Sequence, residues 1–232
     1  MRVGTRATIR LSSSFWTESL LARMQRTEEA AARLEEISGH SVGRRLCNVR
    51  DDEDVRSLVA AAIAEMGQVD VVINNAGLGG EVPVVEMSDD QWNSVLDITL
   101  NSVFRMTRAV LPHMIERKNG VIVNNASVLG WRAQKGQAHY AAAKAGVMAF
   151  TRCTALEAAE HGIRINAVSP SIAVHPFLKK TTPQELLDEL EAKEAFGRGA
   201  EPWEVANVMV FLASDYASYM TGEVVSVSSQ RA

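Results

Sequence analysis

The chain has 232 residues, 47% of them hydrophobic, which suits one domain with a sizeable core. Its 24 basic and 28 acidic residues give a net charge of −4, and with no basic block among them nucleic acid is not an expected partner. Cys47 and Cys153 make neither a metal spacing nor a disulfide framework, and no signal peptide or bilayer-length apolar run is present. A reducing, cytoplasmic setting away from membranes is expected.

In chain order, "RATIRL" (6–11) reads as a strand, and Trp16, Leu20, Met24, Thr27, Ala31 and Leu34 fit one amphipathic helix. Ser12, Ser13 and Ser14 stand at that helix's start, where they cap it or bind an anion. "QVDVVINNAG" (68–77) is a buried strand ending in a glycine turn. Ser88, with Gln91 three residues on, forms a capping box opening one long helix to about Arg117, its apolar positions at 92, 95, 96, 99, 103, 107, 110, 111 and 114. "GVIVNNAS" (120–127) is the next strand, followed by a helix from about Gln137 to Glu160 closed by Gly162. "IRINAVSP" (163–170) is a third strand. Thr182 and Pro183 start a helix at its N-cap and first position, "EPWEVANVMVFLAS" makes another, and "GEVVSVSS" is a last strand. Strands alternating with helices imply an α/β, doubly wound parallel sheet whose ligands bind beyond the strands' carboxyl ends.

"HYAAAKAG" (139–146) sets Tyr140 and Lys144 one helical turn apart among alanines that let another body come close. A phenol titrates near pH about 10; an ammonium one turn away favours the phenolate and lowers that value, making Tyr140 a candidate general acid/base. Ser127, 13 residues earlier at a strand end, is placed to donate a hydrogen bond to a substrate oxygen as that oxygen gains charge.

With "NNAG" at 74–77, "NNASVLG" at 124–130, "YAAAK" at 140–144 and "RINAVSP" at 164–170, the chain resembles the short-chain dehydrogenase/reductases from about Arg23 to Ser229. The resemblance implies a single Rossmann-like domain over 1–232, NAD or NADP as cofactor, and hydride transfer between a carbonyl and a secondary alcohol. By that analogy Tyr140 protonates the carbonyl oxygen, Ser127 positions it, and Lys144 lowers the tyrosine pKa and bonds the nicotinamide ribose. Asn75, Ala76 and Gly77 would lie by the adenine ribose, with Asn48 and Val49 at the adenine. Pro170, Ser171, Ile172 and Ala173 would bracket the nicotinamide.

Departures from the family pattern are specific. Thr99 stands where the family usually has an asparagine of the catalytic relay, and its hydroxyl has fewer hydrogen-bonding groups to hold a water; Asn101 is two residues off and faces elsewhere. Ser171 and His175 replace a glycine and a threonine, and Asn48 an aspartate whose acceptor role its amide oxygen can fill. Residues 1–22 are atypical: no glycine-rich turn precedes Arg23, so the first βαβ unit is incomplete, a sheet edge should be exposed and most of the phosphate site is missing. A truncated, mis-started or frame-shifted beginning is the expectation. Two function classes follow, an NAD(P)-dependent oxidoreductase and a cofactor-free, non-catalytic oligomeric scaffold of the same fold.

Residues 175–200 are expected to form a substrate lid. Trp131, Phe177, Leu178 and Phe196 make an apolar pocket or simply pack, and Lys179 and Lys180 meet a carboxylate or coenzyme A phosphate or stay solvated. The wording resembles bacterial members acting on steroid-ring fragments or acyl-CoA thioesters, near the 3-oxoacyl reductase and hydroxysteroid branches. His139 faces the pocket or packs on its helix. His40, His113 and His161 have no metal partners, and no metal is expected. The small-residue face "AAAKAGVMAF" and the long helix before it are suited to pairing across a two-fold axis, as homodimer or homotetramer.

Overall fold

A computed structural model describes residues 20–175, 178–179 and 182–229. The strand expected at 6–11, the serines at 12–14, Trp16, Phe177, Lys180 and the side chains of Leu20, Met24 and Thr27 lie outside the described residues. The elements are α1 (Leu20–Ser38), α2 (Asp52–Met66), β1 (Val71–Asn74), α3 (Asp89–Leu96), α4 (Ser102–Arg117), β2 (Gly120–Asn125), α5 (Ala138–Ala159), β3 (Ile163–Pro170), α6 (Gln184–Ala192), α7 (Pro202–Ala213) and β4 (Val224–Val227).

The four strands form one parallel sheet in the order β1-β2-β3-β4. Side chains alternate across it, so each strand feeds two cores. Ile122, Ile163 and Ile165 are fully buried under α2, α4 and α5, while Val123 and Val168 meet Val205, Met209 and Leu212 of α7 on the opposite face. Each such isoleucine contributes about 1.5–3 kcal/mol through its removal from water. Asn74 stands opposite Asn124, and Asn125 opposite Val168, so the carboxyl ends of β1, β2 and β3 share one rim. Beyond β1 the described residues place no partner strand; Val71 is 39% exposed, and residues 41–48 run as irregular chain.

The single helix expected from Ser88 is two helices joined by a π-helical turn at Asp97–Asn101. Its capping box is present, with Gln91 N donating to Ser88 Oγ at 3.2 Å and Ser88 N to Gln91 Oε1 at 2.9 Å. The turn widens because the Ser102 hydroxyl donates to Ile98 O at 2.6 Å, taking the carbonyl an α-helical N–H would use, while Ser102 N reaches back to Asp97 O. A second difference is at α6. Pro183 is extended (φ −54°, ψ 143°) and is itself the N-cap, its carbonyl accepting from Leu187 N at 3.1 Å, so the helix starts one residue later than Thr182 and Pro183 imply. α1 buries Ala31 but leaves Leu34 42% exposed.

Candidate active site

The rim of the sheet brings Ser127, Tyr140 and Lys144 together. Ser127 follows β2 in extended backbone and caps the short turn Val128–Gly130, its Oγ accepting from Leu129 N at 3.3 Å. Tyr140 and Lys144 sit in the first turns of α5, and the Lys144 ammonium stands 5.5 Å from the centre of the Tyr140 ring. Ser127 and Tyr140 share a side-chain hydrogen bond. Lys144, 3% exposed, donates from Nζ to the backbone carbonyl of Asn125 at 2.5 Å.

Burial sets the electrostatics. It pushes the Tyr140 phenol up to about 12, against the hydrogen bond from Ser127, which favours the phenolate. The same cause pushes Lys144 down to about 8. The phenol is therefore not lowered as expected from its neighbouring ammonium: burial raises it by more than the Ser127 hydrogen bond lowers it.

Thr99, fully buried in the π turn, accepts from Leu78 N at 3.0 Å and donates to Leu78 O at 3.0 Å. Its hydroxyl thus holds the chain that follows Gly77. A Cβ on Gly77 would stand 3.6 Å from Lys144 Nζ and 3.9 Å from Thr99 Oγ1, in ordinary contact, so the backbone at Gly77 lies beside the ammonium. Gly79 packs on the Tyr140 ring in the same way. Asn101 instead donates to Asp97 Oδ1 at 3.1 Å, away from Thr99's partners.

On the other side of the rim Val49, Ala76 and Ile98 pack into a small apolar cluster. Asn48 is exposed, and its Oδ1, the acceptor expected for an adenine amine, receives Arg50 N at 3.2 Å. Arg50 and Arg105 converge on Asp97 at 3.1 and 2.7 Å. Burial alone would raise the Asp97 pKa, but hydrogen bonds from Arg105, Asn101 and Arg50 together hold it below the usual carboxylate range. Pro170 ends β3; Ser171 N donates to Val227 O at 3.1 Å, and Ala173 forms a parallel bridge with Ala200.

Of the side chains expected to make an apolar pocket or simply pack, Trp131 is 48% and Phe196 79% exposed and Leu178 is partly buried; Lys179 is exposed. His139 is 2% exposed and sits by Gly80, and burial lowers its pKa. His113 accepts from Val69 N at 3.2 Å, tying α4 to the strand ahead of it. Among the described residues no three His, Cys, Asp or Glu side chains are grouped to hold a metal ion.

What the sequence reading missed is an amide ladder. Asn74 Nδ2 donates to Asn124 Oδ1 at 2.9 Å, Asn124 Nδ2 to Thr151 Oγ1 at 2.9 Å, and Asn125 Nδ2 to Asn75 Oδ1 at 2.7 Å. Its signal was the doubled asparagine at the ends of two apolar strands, where a polar pair needs partners.

A family model described as enoyl-(acyl carrier protein) reductase matches residues 18–229. The chain is 60% identical, over 89% of its length and 79% of the relative's, to a (5R,7aS)-5-hydroxy-7a-methyl-1-oxo-2,3,5,6,7,7a-hexahydro-1H-indene-carboxyl-CoA reductase of Mycobacterium tuberculosis. It is 39% identical to a 3-oxoacyl-(acyl-carrier-protein) reductase of Thermotoga maritima, over 78% of this chain and 73% of that one. Among solved structures, a short chain dehydrogenase from Mycobacterium smegmatis is 54% identical with a TM-score of 0.78, covering 90% of this chain and 78% of that chain. With its parallel sheet and the Ser127, Tyr140 and Lys144 rim, the chain belongs to the short-chain dehydrogenase/reductase family of oxidoreductases.

Proposed function

We propose that this oxidoreductase interconverts a carbonyl and a secondary alcohol with NAD or NADP, and that its substrate is an acyl-CoA thioester carrying a steroid-derived ring fragment. The observation that carries the reading is the meeting of Ser127, Tyr140 and Lys144 at the carboxyl rim of the sheet, with the phenol bonded to Ser127 and the ammonium beside its ring. The substrate class rests on the 60% identity to the mycobacterial indene-carboxyl-CoA reductase.

Two features fit a dinucleotide. The packed apolar cluster of Val49, Ala76 and Ile98 would lie beneath an adenine, and the buried Lys144 ammonium suits the hydroxyls of a ribose. Asn75, Ala76 and Gly77 would lie by the adenine ribose, and Pro170, Ser171, Ile172 and Ala173 would line the nicotinamide. When bound, the nicotinamide would supply or take the hydride. Tyr140, whose phenol is protonated at neutral pH, gives its proton to the substrate's carbonyl oxygen. Ser127 Oγ donates to that oxygen as it gains charge. Thr99 acts through Leu78, keeping the backbone at Gly77 against Lys144.

Exposed apolar side chains on α4 and α5, among them Phe104 at 42% and Leu156 at 77%, support self-association through these helices as a homodimer or homotetramer. The test of the functional reading is a titration of the 232-residue chain with NADH and NADPH, followed by cofactor fluorescence. Saturable binding is expected. A folded chain that binds neither overturns the reading in favour of a cofactor-free scaffold.

A further inference from the structure

Asn125 closes β2 two residues before Ser127 and has three polar groups at the site, two of them bonded. Its neighbour Asn124 points toward α5, where Nδ2 reaches Thr151. Alternation sends Asn125 to the opposite face, where its Nδ2 donates to Asn75 Oδ1 at 2.7 Å. Its backbone carbonyl accepts the Lys144 ammonium at 2.5 Å. Its third group, the side-chain Oδ1, is buried and has no hydrogen-bond partner. Asn124 Oδ1 and Asn75 Oδ1 both receive a donor, so this orphan stands out within its own ladder. Buried amide acceptors without a donor are uncommon, and one at a rim built of acid/base residues calls for a group that arrives from outside the chain.

We propose that Asn125 is a binding residue of this site: paired with Asn75 beside Lys144, its Oδ1 accepts a hydrogen bond from a hydroxyl of the bound ligand. The inference rests on the reductase reading given above. Two hydroxyls have the required chemistry, one on the ribose of the dinucleotide and one on the secondary alcohol of the substrate. Asn75 is part of the device, because its carbonyl oxygen takes the Asn125 Nδ2 and so leaves Oδ1 as the amide's unpaired acceptor.

The experiment compares wild type with Asn125→Leu and Asn125→Ser. The leucine keeps the volume and removes the acceptor. The serine is too short to reach Asn75 and serves if the leucine variant does not fold. Each folded protein is titrated with NADH and NADPH, and KM is then measured for the alcohol substrate. Loss of one hydrogen bond should weaken binding roughly three- to tenfold. A weaker dinucleotide Kd assigns the hydroxyl to the ribose; an unchanged Kd with a raised KM assigns it to the substrate, and either supports the inference. Wild-type binding with Kd and KM both unchanged in the variants overturns it alone. Failure of folded wild type to bind either nucleotide or turn over substrate overturns the reductase reading and this inference with it.

Discussion

Tyr140 and Lys144 are shifted in opposite directions by one cause, and the consequences can be measured separately. With the phenol raised to about 12, the ligand-free site holds its proton at neutral pH and is set for reduction of a carbonyl. Alcohol oxidation needs the phenolate. Its rate should therefore rise toward alkaline pH while the reductive rate stays flat near neutrality, as paired pH profiles would reveal; an oxidation rate that falls over the same range would contradict this. Stability carries a different signature. Lys144 titrates near 8 in the folded chain against an ordinary 10.5, so between these values the unfolded chain holds a proton that the folded one has released, and stability rises with pH. The raised phenol acts in the other sense from about 10 to 12, where stability falls. Lys144→Met should remove the first slope. Urea unfolding of both proteins at neutral pH and at pH about 10 checks it: the stability gap between variant and wild type should narrow as pH rises.

At the scale of elements, the π turn between α3 and α4 is what positions Thr99. Thr99→Val keeps the shape but leaves Leu78 N and O without their partner, which should cost about 1–3 kcal/mol and speed hydrogen exchange at the Leu78 amide; Thr99→Ser should restore both. Unchanged exchange in the valine variant would show that the loop is held by something else. This turn also marks how far the sequence could be read. β3 runs over the residues expected from its apolar pattern, and Ser88 with Gln91 announced the start of α3, because periodicity and capping are local. The turn is not local in that sense. It depends on Ser102 taking Ile98's carbonyl and on Thr99 bonding a loop 21 residues away, neither of which alters the spacing of apolar residues. Likewise Ser127, Tyr140 and Lys144 were legible as motif residues, whereas the balance of their pKa shifts was not, since burial belongs to the packed protein and not to helical spacing.

At the scale of the whole molecule, the carboxyl rim of the described sheet carries Ser127, Tyr140 and Lys144, and α4 and α5 carry the exposed apolar side chains proposed above as a surface for self-association. Phe104 packs edge-on to Phe150 at 6.2 Å and lies under the Arg108 guanidinium, while Leu156 projects into solvent from the same pair of helices. Leu156→Glu should shift an oligomer toward monomer in light scattering, with the ligand-free unfolding transition moving to lower temperature; a wild type that is already monomeric would remove this expectation. No described helix is long and apolar enough to cross a membrane.

The central claim, that Tyr140 is the proton donor of a nicotinamide-dependent carbonyl reduction, is tested most directly by assaying wild type and Tyr140→Phe with NADH or NADPH and a ring-fragment keto acyl-CoA. The account predicts turnover by wild type and a loss of about a hundredfold or more in the variant at nearly unchanged cofactor affinity. Equal turnover by the two proteins, or none by a wild type that binds cofactor and substrate, would contradict it.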